Sequence, residues 1–320
     1  MAPRTSRRAT KAQAAVGLLA TAVMSIRWWD LPAVEFLAMC QALWPVSASA
    51  CVVTAAVLGV RRRGAWVLVL GPALALSLVG VGHDLWRGAP LVPDEPGKSI
   101  TVAAINMKQA QGSPDDVAAV VKRHRVDVLV LLEVDEVAVA DLRRRPELRE
   151  LRYTSGRAWN STVAGSVILS RLPQRERESD AGPASPGQLQ QPRVVISGSD
   201  GRCVAVLGAH PLPPLPGLAG TWAREIKGLH LTESGERDRG CRTVVAGDFN
   251  ATRDHPAFRA FLRGGVEAQK GWGTDASWPS ASPVLSLDHV VTHGFAVSGR
   301  GRFTVQGSDH RGTWVRLVPR

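Results

Sequence analysis

Three runs without a single charged residue fall within the first ninety positions of this 320-residue chain, and they constrain its fold more than any other feature. They cover residues 12–26, 36–60 and 64–82. About 20 apolar residues cross a ~30 Å hydrocarbon core, so the second and third runs have the length of membrane helices. Trp28 and Trp29 extend the first to the headgroup level, where indole rings are favoured. One such run is often a buried core helix. Three of them, separated by charge, predict a membrane anchor over residues 1–86 with transmembrane helices at about 12–29, 36–60 and 64–86.

Positive charge gives the orientation. Arg4, Arg7, Arg8 and Lys11 precede the first run and Arg61-Arg62-Arg63 precede the third, whereas the loop around Asp30 has only Arg27. Positive-inside reasoning puts the N-terminus and the arginine triplet in the cytoplasm and delivers residues 87–320 to the extracytoplasmic side. A cleaved signal peptide over residues 1–26 leads to the same external placement. Residues 87–98 carry Pro90, Pro93 and Pro96 and are expected to form a stiff linker. At ~3.1 Å per residue it reaches at most ~35 Å.

The net charge of +11 and the 45% hydrophobic content exclude a disordered chain and describe two unlike parts. Residues 1–97 hold 9 Lys+Arg and 5 Asp+Glu, and the remaining 30 and 23 give residues 98–320 an excess of +7. Such an excess suits a nucleic acid or an anionic membrane surface. Cys40 and Cys51 lie in the second run and read as small packing residues, while Cys203 and Cys241 lie where disulfides persist.

Residues 99–320 are long enough for one layered α/β domain. Residues 100–106, 126–132, 203–209 and 243–247 read as buried strands, with shorter strands at 285–292 and 313–318. Ser113-Pro114-Asp115-Asp116 opens a helix with a cap, a proline at the first position and acids in the first turn. A helical stretch at 219–231 joins two strands as a crossover unit, and 173–192 reads as a surface loop.

The strands end repeatedly in polar residues: Asn106, Glu133, His210, Asp248 with Asn250, Asp288, and Asp309-His310. Ligands sit beyond the carboxyl ends of strands in sheets with crossover connections. One such residue is a turn or cap, but six stations after apolar runs point to a site. Carboxylate and amide oxygens suit a hard cation such as Mg²⁺, with Mn²⁺ as the alternative, and no tetrahedral Cys/His cluster indicates zinc. Two histidines supply proton carriers, and the set suits attack of water on phosphorus.

In order, Asn106, Leu132-Glu133, Gly165-Ser166-Val167-Ile168-Leu169-Ser170-Arg171, Ala209-His210-Pro211, Gly247-Asp248-Phe249-Asn250, Leu287-Asp288-His289 and Ser308-Asp309-His310 resemble the endonuclease/exonuclease/phosphatase superfamily over about residues 99–318. The resemblance implies a four-layered α/β sandwich, here preceded by three transmembrane α-helices. The three spans, the Pro-rich segment after His210 and Trp278-Pro279 further resemble membrane phosphohydrolases associated with glycopeptide (vancomycin/teicoplanin) resistance in actinobacteria. The resemblance implies Glu133 as principal metal ligand with Asn106 and Asp309 near the ion. It implies Asp248 as the residue that orients or deprotonates water, Asn250 and His210 as phosphate contacts, Asp288 as the residue orienting His210, and His310 polarised by Asp309. His289, Asp254 and His255 read as neighbours of the motifs. If the strands carrying His210 and Asp248 are parallel neighbours, Cys203 and Cys241 also lie level, seven residues back on each, within disulfide reach.

The expected function is a membrane-anchored, Mg²⁺-dependent hydrolase of a lipid phosphate or pyrophosphate, of polyprenyl type, with the bilayer as partner. An extracellular nuclease or phosphodiesterase is the alternative, with Arg143-Arg144-Arg145, Arg149 and Arg152 as backbone contacts. A non-catalytic anchor is disfavoured because the metal and phosphate residues are all present.

Overall fold

The computed structural model describes residues 4–31, 35–60, 64–86, 89–158, 164–176, 189–269 and 275–320. The arginine triplet at 61–63, the first two linker residues and most of the 173–192 loop lie outside them.

Four helices form the N-terminal part: α1 (Arg4–Ser25), α2 (Glu35–Ala42), α3 (Trp44–Val60) and α4 (Gly64–Trp86). The expectation of three transmembrane helices is not supported. Among the described residues no single helix is both long and apolar enough to cross a membrane. The run 36–60 is broken at Leu43, where Phe36–Ala42 and Trp44–Leu58 meet at 57° and only together have the apolar length of a span. Pro45, the second residue of α3, has no N–H to donate back to Gln41 O, so the helical ladder is interrupted there. The basic residues of α1 occupy its first turns and shorten its apolar part. Packing among these helices uses small residues: Gly80 lies against the Trp44 ring and Gly17 against Val69, each with no room for a Cβ.

The rest of the chain builds two six-stranded sheets. The first runs β11 (Phe295–Thr304), β12 (Arg311–Pro319), β1 (Ile100–Asn106), β2 (Val128–Leu132), β4 (Ser166–Ser170), β3 (Tyr153–Arg157). The second runs β5 (Arg175–Glu176), β6 (Arg193–Ser197), β7 (Cys203–Ala209), β8 (Arg242–Asp248), β10 (Asp288–His293), β9 (Val266–Glu267). Val102, Val130, Val206, Val244, Val290 and Val315 fill the space between the sheets. The outer face of the first sheet packs under α5 (Pro114–His124) and α6 (Glu136–Arg144), and that of the second under α7 (Ala219–Asp238) and α8 (Pro256–Phe261). The expected four-layered α/β sandwich is thus present. Near-continuous Val/Ile/Leu runs mark strands covered on both faces, as the layering requires.

Each sheet has one parallel pair, β1–β2 and β7–β8, flanked by antiparallel neighbours. The parallel pairs bring their polar carboxyl ends level, with Asn106 opposite Leu132 and Ala209 opposite Gly247. Ser113 caps α5 through Asp116 N–H as its sequence predicts. Cys203 and Cys241 form a disulfide with Cα atoms 4.7 Å apart.

The 87–98 segment is not a free tether. Ala89 belongs to the core, Val92 N–H donates to Val297 O at 2.9 Å and Arg300 donates to Ala89 O at 2.8 Å.

Candidate active site

The strand ends converge into one crevice. Asn106 closes β1, and its Nδ2 donates to Glu133 Oε1 at 2.9 Å and to Asp248 Oδ2 at 3.2 Å, joining the two sheets. Glu133 follows β2 in the left-handed region, φ +54°, and its other oxygen accepts Gln109 N–H at 2.9 Å. Asn250 is left-handed too, at φ +47°, with its N–H on Asp248 Oδ1 and its side chain donating to Pro211 O. Non-glycine residues held in this region cost about 1–3 kcal/mol each and persist where the surroundings over-determine them. Gly247 is required by a close approach, because any Cβ there would strike Ala209 O across the β7–β8 pair.

Asp248 and Asp288 are cross-strand partners on β8 and β10. His310 sits on both: its Nδ1 is 2.9 Å from Asp288 Oδ2 and its Nε2 is 3.6 Å from Asp248 Oδ2. Asp288 therefore orients His310 and not His210, a correction to the expected pairing. Asp309, expected at the metal and beside His310, instead turns its carboxylate to the Trp278 indole at 3.4 Å. Both residues lie in the bend before β12, and the Asp309 charge still helps to raise His310.

The buried charges set distinct protonation states. Burial alone would lower His310, but the Asp288 and Asp248 carboxylates raise it to about 10. Burial dominates at His210 and lowers it to about 4 against the pull of Asp248. The 3.7 Å approach of His210 Nε2 to Glu133 Oε1 is then a neutral imidazole facing a carboxylate, not an ion pair. Burial raises Asp248, while His310 and Arg302 hold Asp288 below the usual carboxylate range despite its own burial. An NMR titration of metal-free protein is expected to show His310 holding its proton to about pH 10 and His210 staying neutral down to about pH 4. Two histidines titrating together near 6.5 contradict this reading.

Asp248 and Asp288 lie with His310 in a cluster whose polar atoms fall within 4.8 Å of one another; the protonated His310 has no lone pair to offer, so the carboxylates are the donors. Glu133 adds further carboxylate oxygens beside them, while Asn106 turns its Nδ2 to the carboxylates and its Oδ1 accepts Lys108 N–H at 2.9 Å. This oxygen-rich donor set fits a hard divalent cation, and His210 Nδ1, buried without a hydrogen-bond partner among the described residues, is left for a ligand. Metal dependence is typical of proteins with this fold family's site, and here the cation has a place to go.

The supporting hydroxyls carry little sequence signal. Ser277 Oγ accepts the N–H groups of Leu287 and Asp288 at 3.0 and 3.1 Å. Ser308 Oγ donates to Asn106 O at 2.7 Å and accepts His310 N–H at 3.0 Å. Arg302 donates to Asp288 O at 2.8 Å from β11. Only Ser308 lies inside a recognisable motif. His289 is buried between Glu267 and the carbonyls of Ala251 and Ser286, a structural neighbour as its sequence position suggests.

Solved structures share the fold at low identity. Humanized D. rerio TDP2 with 14 mutations is 13% identical over 69% of this chain and 99% of that one, with a TM-score of 0.55. The endonuclease/exonuclease/phosphatase from Bacteroides vulgatus is 17% identical over 69% and 99%, with a TM-score of 0.53. D. rerio TDP2 complexed with a single-strand DNA product is 12% identical over 68% and 98%, with a TM-score of 0.52. No curated protein matches the sequence. The Endonuclease/Exonuclease/phosphatase family model matches residues 105–310, a span that holds every residue gathered in the crevice, and the chain belongs to that family.

Proposed function

We propose that the chain is a membrane-anchored, divalent-metal-dependent phosphohydrolase whose crevice lies on the extracytoplasmic side and acts on a lipid phosphate or pyrophosphate, of polyprenyl type. The observation that carries this reading is the character of the helices joined to the crevice. They turn Leu18, Phe36, Val53, Leu68 and Val79 outward, with Leu68 81% exposed. Exposed apolar residues of this size and density suit lipid and not water. Arg27, Ala38 and Ala89 also contact the sandwich, which supports one end of the helices facing the same side as the crevice.

Glu133 would be the principal ligand of the cation with Asn106 beside it, Mg²⁺ being favoured by the carboxylate oxygens and Mn²⁺ the alternative. When bound it would supply Lewis-acid polarisation of a phosphoryl oxygen. The chain's own groups do the rest. Asp248, its carboxylate raised by burial, is suited to take a proton from the attacking water. As the new P–O bond forms and the bond to the leaving oxygen breaks, the His310 imidazolium offsets the developing charge. Neutral His210 and the Asn250 amide are placed to contact phosphate oxygens.

A nuclease acting on nucleic-acid backbones is less well supported. Of the basic run, Arg143 donates to Leu151 O and Arg145 pairs with Asp115 at 2.8 Å, so both are committed to the fold. The decisive assay is phosphate release from undecaprenyl pyrophosphate in vesicles with Mg²⁺. Glu133→Ala is expected to reduce it about 100-fold or more through lost metal affinity. No release from lipid pyrophosphate, lipid monophosphate or phosphodiester lipid, with nicking of plasmid DNA instead, would overturn the lipid reading.

A further inference from the structure

We propose that the 3-10 turn Ile26–Trp28 after α1, with α2, is a clamp that fixes the catalytic crevice at the lipid surface, with Arg27 as its positioning residue. The proposal rests on the membrane reading above and deepens it. Arg27 lies in the 3-10 turn Ile26–Trp28 that follows α1. Its side chain is 2% exposed and pairs with Asp254, itself 3% exposed, at 2.6 Å. The guanidinium also lies 4.5 Å from the Trp44 ring centroid, and the Arg27 carbonyl accepts from Arg259. Eleven residues further, Ala38 O accepts from His255 Nε2 at 2.9 Å. His255 Nδ1 in turn accepts Thr252 N–H at 2.9 Å, so the ring is a neutral donor through Nε2. Gln41 closes the turn by donating to Ile26 O and Trp29 O.

Burying an ion pair is a poor source of stability, because desolvation offsets the Coulombic gain. What such a pair does well is define one geometry and penalise every other, since either partner left alone in that place is an uncompensated charge. The helices and the sandwich are thus held in one register. The receiving segment, residues 252–259, continues directly from the crevice. Asp254 is four residues beyond Asn250, which limits their separation to roughly 14 Å. Trp222 ties the two together by donating to Phe249 O at 3.2 Å and packing on His255 at 4.9 Å.

Two further observations point the same way. Ala89 and Val92, which follow α4, are also fixed on the sandwich, through Arg300 and the Val297 carbonyl. Around the clamp Trp28, Trp29, Leu31 and Phe36 are exposed, at 42%, 45%, 52% and 74%. Indoles and apolar residues in that position suit the interface between headgroups and acyl chains. A phosphate carried by a lipid lies at that depth, and a crevice held there meets it without the lipid leaving the bilayer.

The test uses the full-length protein with Arg27→Met, Asp254→Asn and the exchanged pair Arg27→Asp/Asp254→Arg. Hydrogen–deuterium exchange across residues 249–259 is expected to rise in both single variants, with residues 128–132 unchanged. Hydrolysis of undecaprenyl pyrophosphate in vesicles is expected to fall by at least about tenfold, whereas soluble geranyl pyrophosphate changes by less than about twofold. The exchanged pair is expected to recover part of the vesicle rate. Unchanged exchange overturns the clamp, and so does an equal loss on both substrates, which would mark Arg27 as a general stabiliser. If the wild-type chain hydrolyses neither pyrophosphate, the lipid reading fails, and the exchange arm still decides whether the clamp exists.

Discussion

Replacing His310 by alanine is expected to lower kcat about 10²–10⁴-fold while KM changes little. The reason is the position of the ring between two buried carboxylates, 2.9 Å from Asp288 and 3.6 Å from Asp248. Those charges keep the imidazole protonated to about pH 10, so at neutral pH it is a fixed cation aimed into the crevice. A cation already in place stabilises developing negative charge without reorganisation, and it does so most in a water-poor site. Asp288→Asn is expected to cost activity to a similar degree, since an amide can no longer hold the ring as an imidazolium. Steady-state kinetics with any hydrolysed substrate checks both, with circular dichroism confirming the fold. A His310→Ala enzyme within a few-fold of wild type would remove His310 from the chemistry. Linkage has a defined sign here. The folded pKa lies above the unfolded value near 6.5, so the His310 pairing contributes its full stability below about 6.5 and loses it as pH rises through about 10.

Removing the disulfide is expected to give the largest change in stability. Cys203 and Cys241 are separated by 38 residues, and closing a loop of that length restricts the unfolded chain by about 3–4 kcal/mol. The loop encloses β7, the His210 that follows it and α7, which carries Trp222, and it closes immediately before β8, which ends in Asp248. For a domain of this size the loss corresponds to a Tm lower by roughly 10 °C. Differential scanning calorimetry of Cys203→Ala/Cys241→Ala checks it, and a Tm within about 2 °C of wild type would show that the bridge adds little. Activity measured well below Tm is expected to persist, because neither sulfur touches the crevice residues.

Much of the site was legible in the chain because strand ends are where apolar runs stop, and a polar residue there is conspicuous. Asn106, Glu133, His210, Asp248, Asn250, Asp288 and His310 were all visible in this way, and the structure gathers them at one edge of two sheets. Ser277 and Arg302 were not visible. Each acts through a hydrogen bond to backbone from a distant element, and serine in a loop or arginine in a strand looks ordinary. The edge strand β11 was equally hidden, since Phe295–Thr304 mixes glycines and arginines with few apolar residues. Pairing along one side only leaves such a strand free of the hydrophobic pattern that marks a central one.

The helical part shows the complementary limit. Hydropathy located the apolar runs but not the break at Leu43, which depends on how one proline is accommodated. Arg27 illustrates it most clearly. In sequence it is a lone charge between two apolar runs, useful only for judging topology; in the fold it is a buried ion-pair partner of Asp254.

By itself the sequence determined the layered α/β class, the strands that end in polar residues, the level placement of the two cysteines and the apolar character of the first ninety residues. Those properties are written in short-range patterns of side-chain polarity, which water reads residue by residue. Only the tertiary structure decided which carboxylate serves which histidine, where Asp309 turns, and how the helices are fastened to the sandwich. Those outcomes depend on pairs far apart in the chain, such as Asp288 with His310 and Arg27 with Asp254, whose energies exist only once folding has removed the water between them.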